Sequence, residues 1–218
     1  MAEHRADDLG EEDLIWPTLG LARVAVHQAA FAEALKWHQL CFERSEHRLG
    51  PNHPFTATAL NNVAQLLQAT NRLAEAEPQM RRALAIAEAS YGNDHPQVAA
   101  YLNNLALLLK ATNRLAEAEP LMRRAMAIDE TSYGNDHPNV AIHLNNLAQL
   151  LQDTNRLAEA EPLMARGFAV FWQSLGLDHP NTQSVRGNYI ALLKAMGLCE
   201  PEIQAKLQAK LQALLPPT

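Results

Sequence analysis

Apolar residues in the middle of the chain follow a helical spacing that breaks once and then starts again. Leu102, Leu105, Ala106 and Leu109 recur every three or four residues, which is the spacing of one face of an amphipathic helix. This stripe predicts a first helix, helix A, over about residues 96–111. A second stripe predicts helix B, which ends near residue 132 and carries Leu115, Ala118, Met122, Ala125 and Ile128. The short break at Thr112 and Asn113 makes the two helices antiparallel.

The same pattern occurs several times along the chain. The tripeptide Leu-Asn-Asn begins at residues 60, 102 and 144, and the pair His-Pro begins at residues 53, 95, 137 and 179. The spacing, taken as 102 − 60 or 137 − 95, is 42 residues. A fixed period of this length is typical of one helical unit stacked on itself, so the sequence predicts an all-α solenoid.

The repeats divide the chain into segments. The solenoid is expected over 14–197, with repeats at about 14–53, 54–95, 96–137, 138–179 and from 180 to 197 onward. Residues 1–13 contain six acidic side chains and few apolar ones, which predicts a flexible leader. Residues 198–218 are expected to form a C-terminal capping helix and tail, because Ile203, Leu207 and Leu211 alternate with Lys and Gln.

The helix ends carry recognisable signals. Gly134 can adopt a positive φ where helix B ends, Asp136 or His137 can cap the next helix A, and Pro138 suits its first turn. Pro120 lies inside helix B, as do Pro78 and Pro162 in the neighbouring copies. Because an internal proline removes one helical hydrogen bond, we expect helix B to be kinked rather than to start late.

Composition narrows the function. The net charge of −6 and a pI near 5.8 argue against nucleic acid or an anionic membrane as partner. Cys41 and Cys199 are the only cysteines, which fits free thiols in a reducing cytoplasm. No segment approaches the ~20 apolar residues of a membrane span. A cytoplasmic protein is therefore expected.

The sequence offers no grouping of catalytic residues. It lacks a Gly-rich phosphate loop, a nucleophile with a placed base and an isolated pair of carboxylates, so neither an enzyme nor a cofactor is expected. Histidines one repeat apart should lie ~10 Å from each other, whereas two ligands of one Zn²⁺ lie within ~4 Å. A metal site is not expected, and His143 is interpreted as an ordinary packing residue without a carboxylate partner.

These residues resemble a known family. The spacing of the tetratricopeptide repeat signature is matched, with Ala106 in place of its usual Gly and Met122 in place of an aromatic residue, by Leu102, Leu105, Ala106, Leu109, Ala118, Met122 and Ala125. The period of 42 residues and the words LNNLA and YGNDHP are similar to the kinesin light chain subtype, over residues 14–197. The resemblance implies a right-handed superhelical solenoid of antiparallel helix pairs. It also implies a concave groove, lined by the A helices, that binds peptides or proteins without enzymatic activity.

Helical geometry identifies the same face independently. At ~100° per residue, Asn103, Asn104 and Leu107 lie opposite the apolar stripe of helix A. Carboxamides both donate and accept hydrogen bonds, so this face could pair with the backbone of an extended peptide. The residues expected to bind peptide are Asn61, Asn62, Gln65, Asn103, Asn104, Leu107, Lys110, Asn145, Asn146, Gln149 and Asn188.

Two alternatives stay open at this point. The second Asn of each pair could instead bond to a neighbouring A helix and fix the stack. Lys110 is opposed by Asp153, so a preference for acidic peptides is not expected. The favoured function is a non-enzymatic scaffold for an unidentified protein or peptide. The alternative is a structural module that associates through its end helices with a second copy or a larger assembly, tested by polar changes at Leu207 and Leu211.

Overall fold

The computed structural model of the protein describes residues 30–213. The predicted leader at 1–13 and the beginning of the first repeat lie outside this range, as does the tail after residue 213. Within the described residues the chain is all-α, without strands. The helices are α1 Phe31–Leu49, α2 Pro54–Ala69, α3 Leu73–Tyr91, α4 Pro96–Ala111, α5 Leu115–Tyr133, α6 Pro138–Asp153, α7 Leu157–Leu175, α8 Pro180–Ala195 and α9 Glu200–Ala213. The bounds of α4 confirm the prediction for helix A.

Each A helix is capped by a histidine. The Nδ1 atom of His137 accepts a hydrogen bond from the backbone N–H of Asn139 at 3.2 Å, and Pro138 occupies the first turn of α6. The equivalent bond occurs at His53, His95 and His179. Each bond satisfies one N–H that the helix itself leaves unpaired. The repeated histidines therefore have the predicted capping role.

The connections are short because two residue types adopt unusual backbone angles. Gly134 ends α5 with a φ of 85°, which confirms the predicted glycine stop. Between the A and B helices, Asn113 has a φ of 59°, as do Asn71 and Asn155. Asparagine tolerates this left-handed conformation better than most residues do. The turn reverses the chain, so that helix B runs antiparallel to helix A.

The internal prolines do not delay helix B. Helix α5 begins at Leu115, five residues before Pro120, and continues to Tyr133. The same holds for α3 with Pro78 and α7 with Pro162. A late start is thus excluded, and the kink itself remains a prediction.

The contacts group the chain into two compact units, Met1–Leu108 and Leu109–Thr218, whose boundary falls within α4. In the first unit, α1 packs on α2 and α2 on α3. In the second unit, α5, α6, α7 and α8 pack consecutively, and α6 also contacts α8. The apolar stripes form the core: Leu102 and Leu105 are buried in the first unit, and Leu144 and Leu147 in the second.

Helix α9 covers the end of the second unit by packing on α7 and α8. Its buried residues Ile203 and Leu207 confirm the predicted amphipathic pattern. Because Leu207 is buried in its own unit, a polar residue there would disrupt the cap, so that change cannot serve as a test of self-association. The side chain of Leu211 lies outside the described part of the chain.

Candidate functional site

The Asn-Asn pairs bind neighbouring A helices to each other. In the first unit, Asn104 on α4 donates from Nδ2 to Oδ1 of Asn61 on α2 at 3.1 Å. In the second unit, Asn188 on α8 donates to Asn145 on α6 at 2.9 Å. For Asn104 and Asn188, the alternative that the second Asn fixes the stack describes the observed contact. Asn61 is only 7% exposed, which makes its pairing costly to lose.

Other residues predicted to bind peptide remain open to solvent. In the first unit, Gln65 is exposed, whereas Asn62 and Leu107 are half-buried and Asn103 is buried. Among the described residues, the side-chain amides of Asn62 and Gln65 make no hydrogen bond. These amides can therefore pair with an incoming group without breaking an internal bond.

In the second unit, the corresponding face consists of α6 and α8. Asn145, Asn146, Gln149 and Asn188 are half-buried there. Ile142, one turn before Asn145 and Asn146, is 40% exposed although its side chain is apolar. The face therefore combines amides with exposed apolar surface.

The positive charge on this face is neutralised internally. The Nζ atom of Lys110 lies 3.0 Å from Oδ2 of Asp153 and 3.5 Å from Oε1 of Gln149. Only 21% of the Lys110 side chain is exposed. An acidic ligand would have to compete with Asp153, so the face offers no uncompensated cation at this position.

One position of helix A differs in every copy. Its residue is Tyr101 in α4, His143 in α6 and Val185 in α8, and all three are buried. The hydroxyl of Tyr101 lies 3.1 Å from Oγ1 of Thr58 on α2, so the ring spans two A helices. Burial raises the pKa of Tyr101 above its usual value, although the hydrogen bond to Thr58 acts in the opposite direction.

His143 has a carboxylate partner, so the prediction that it lacks one is wrong. Its Nε2 lies 2.9 Å from Oδ2 of Asp129 on α5, and the two residues are 5% and 3% exposed. The other oxygen of Asp129 finds no hydrogen-bond partner within residues 30–213. The partners are 14 residues apart in sequence and meet only because α5 packs on α6. In the described part of the chain, no three potential ligands cluster to hold a metal ion.

The third copy of this position borders a shallow pocket. The pocket has a volume of about 170 Å³ and lies on the second unit between α6 and α8, above Phe171 of α7. It is lined by Ile142, Asn145, Phe171, Asn181, Ser184 and Val185. Sequence periodicity did not predict this pocket, because Val185 satisfies the same apolar pattern as any other core residue.

No helix between residues 30 and 213 is both long enough and apolar enough to span a membrane. A tetratricopeptide repeat model matches residues 13–89, 72–131 and 114–173. No curated protein shows significant similarity to the chain.

Solved structures show the same fold. The chain is 22% identical, with a TM-score of 0.74, to the Podosopora anserina protein described as a kinesin light chain with nearly identical TPR-like repeats, covering 92% of this chain and 94% of that one. It is 19% identical to BtubC (BKLC) from P. vanneervenii, with a TM-score of 0.71, covering 97% of this chain and 96% of that one. At this level of identity, the similarity concerns the arrangement of helix pairs.

Proposed function

Because the chain belongs to the tetratricopeptide repeat family, we propose that it is a non-enzymatic scaffold that binds a protein or peptide segment on the solvent-facing side of its A helices. Tetratricopeptide repeats generally mediate interactions between proteins or with peptides, and such proteins are typically without catalytic activity. The finer statement, which face binds and how, follows from the contacts of the described residues.

The observation that carries this proposal is the rigid support beneath the open side chains. The bonds Asn104–Asn61 and Asn188–Asn145 hold consecutive A helices together, at 3.1 Å and 2.9 Å, without using Gln65 or Leu107. A surface that is ordered before binding loses less conformational entropy when its partner arrives. The internal amides thus favour a preformed face.

The open side chains suit an extended segment. The amides of Asn62, Gln65 and Gln149 can donate to and accept from a peptide backbone whatever its side chains are. Neighbouring A helices are spaced by ~8–10 Å, which is the reach of about three extended residues. Leu107 and Ile142 supply apolar contacts between these amides. The proposed ligand is therefore a backbone held by amides, with apolar side chains at intervals.

Charge argues for an uncharged segment. Lys110 is paired with Asp153, and Lys194 lies 3.7 Å from Glu200. Neither cation is available to select an acidic partner, and the net charge of −6 does not favour nucleic acid. The free thiols of Cys41 and Cys199 fit a reducing compartment, so we place the interaction in the cytoplasm.

A random-peptide display library tests the proposal. The wild type is expected to enrich peptides whose affinity falls at least about tenfold when two open amides are replaced, in the variant Q65R/Q149R. The matched control is Q79R/Q173R, which makes the same chemical change on the B helices and should bind normally. Equal binding by the wild type and Q65R/Q149R would place the site elsewhere.

A further inference from the structure

The position occupied by Tyr101, His143 and Val185 changes together with a second position on the preceding B helix. That second position is Ala87 in α3, Asp129 in α5 and Phe171 in α7, always 14 residues earlier. A small residue thus accompanies Tyr101, a carboxylate accompanies His143, and a large ring accompanies Val185. In the last copy, most of the side-chain volume has moved from helix A to helix B.

This exchange changes the surface between consecutive A helices. In the first unit, Tyr101 reaches Thr58 on α2 and closes the surface there. The residues equivalent to Thr58 and Tyr101 in the second unit are Ile142 and Val185, which are also 43 residues apart. Valine is too short to span the gap, and Phe171 fills only the space beneath it. What remains is the pocket of about 170 Å³, called here the α6–α8 hollow.

The lining of the α6–α8 hollow is apolar with a polar rim. Ile142, Phe171 and Val185 form its walls and floor, and Ile142 is 40% exposed to water. Asn145, Asn181 and Ser184 complete the lining, which contains no charged side chain. Covering an apolar surface of this kind is favourable, roughly in proportion to the area removed from water.

We propose that the α6–α8 hollow is an anchor site that receives one phenylalanine or tyrosine side chain from an uncharged partner segment. The incoming ring takes the place that Tyr101 occupies in the first unit of the same chain. This inference rests on the proposed function and adds to it the chemistry of the preferred ligand.

The size and charge of the site select this occupant. An alanine or valine side chain would leave part of the space unfilled and forgo the contacts of the walls. A charged side chain would lose its hydration without gaining an opposite charge, since none lines the hollow. The rim groups of Asn145, Asn181 and Ser184 can pair with the backbone on either side of the ring.

The chain itself provides the variant that closes the hollow. In I142T/V185Y, the residues of the first unit, Thr58 and Tyr101, are transferred to the second unit. The new ring should cover the α6–α8 hollow with a hydroxyl partner in reach, so that the fold is kept. I142V is the control, because it preserves an open, apolar site. Circular dichroism and thermal melting establish that both variants are folded.

The probes are synthetic peptides with the sequences that the wild type enriches from the display library, each also made with its aromatic residue replaced by alanine. Enriched peptides should share one Phe or Tyr flanked by uncharged residues. Their affinity should fall at least about tenfold both on I142T/V185Y and on replacement of the ring, and stay within about threefold on I142V.

Each other outcome separates the two proposals. If enriched peptides lack an aromatic residue, carry essential acidic or basic residues, or bind I142T/V185Y as well as the wild type, the anchor site is refuted while the scaffold function stands. If no peptide is enriched at all, the result counts against both.

Discussion

The two units solve the same packing problem with opposite side chains. In the first unit, Tyr101 spans from α4 to Thr58 on α2, and the position beneath it carries Ala87. In the second unit, the ring belongs to Phe171 on helix B, and helix A carries Val185. Both arrangements fill the interior, but only the first also closes the surface. A repeat can therefore change its surface without changing the amount of buried side chain.

The amide bonds show how local this difference is. The distances Asn104–Asn61 and Asn188–Asn145 are 3.1 Å and 2.9 Å, so that consecutive A helices are held alike in both units. The copies differ at the position of Tyr101 and Val185, next to those amides. Stack geometry and surface chemistry are thus carried by adjacent but separate residues of helix A.

The copy between these two extremes should respond most strongly to mutation. Asp129→Ala leaves the buried imidazole of His143 without its partner, and we expect a loss of about 3 kcal/mol in the free energy of unfolding. The double variant D129A/H143Y introduces the residues of the first unit and should recover most of that loss. Urea denaturation measures both. A stable D129A protein would show that the pair contributes nothing beyond packing.

Exchanging residues between the two units should have unequal effects. Tyr101→Val empties the space between α2 and α4, so we expect a loss of about 2 kcal/mol in unfolding free energy. The reverse exchange, I142T/V185Y, adds a ring to an existing hollow and should change stability by less than about 1 kcal/mol. Equal effects in both directions would mean that the α6–α8 hollow is already as well filled as the α2–α4 contact.

Removing the amide donors tests whether the two units are held equally. Asn104→Ala leaves Oδ1 of the buried Asn61 unpaired, at a cost of about 1–2 kcal/mol. Asn188→Ala exposes Asn145, which is half-buried and can bond to water, so about 0.5–1 kcal/mol is expected. Thermal unfolding at matched concentration compares them. A larger loss for Asn188→Ala would contradict the burial argument.

The smallest effect is expected in acid. Hydrogen bonds from Arg123 and Arg156 lower the pKa of Glu119 below its usual 4.5, so its contribution to stability is present above that value and is lost as the pH falls through the lowered pKa. In Glu119→Gln, stability should therefore depend less on pH below about 4.5, by a fraction of a kcal/mol. Unfolding midpoints measured across this range decide it. Unchanged acid sensitivity would show that these surface pairs are screened.

A similar carboxylate in the next repeat is held by the cap instead. Tyr189 donates to Oε1 of Glu161 at 2.7 Å and Lys206 of α9 at 2.9 Å. Burial raises the pKa of Glu161, but these two bonds outweigh it and the pKa is lowered. Glu161→Gln should show the same direction of acid response as Glu119→Gln, measured in the same way.

The fold was predictable because it depends on patterns along one helix. The spacing of Leu102, Leu105 and Leu109 predicts helix α4, and the His-Pro pairs predict the caps that the structure contains. The left-handed turn at Asn113 has a weaker signal, since asparagine is also common in ordinary loops.

The candidate site was predictable only in part. The face of helix A follows from 3.6 residues per turn, but its pairing does not, because Asn104 bonds to Asn61 only at one rotational setting of α4 against α2. The Asp129–His143 pair depends on how helix B rests on helix A, which periodicity does not encode. Comparing the copies position by position would have revealed it, since Ala87, Asp129 and Phe171 vary in step with Tyr101, His143 and Val185.

The constant 42-residue period has a consequence for how such a chain can evolve. The gene contains nearly matching stretches in the same phase, so recombination between them can add or delete one whole copy without disturbing any cap or turn. An event of this kind downstream of α2 would move the α6–α8 hollow by one step relative to the Thr58–Tyr101 contact. The distance between a closed and an open surface could then change in a single generation, with no new side chain required.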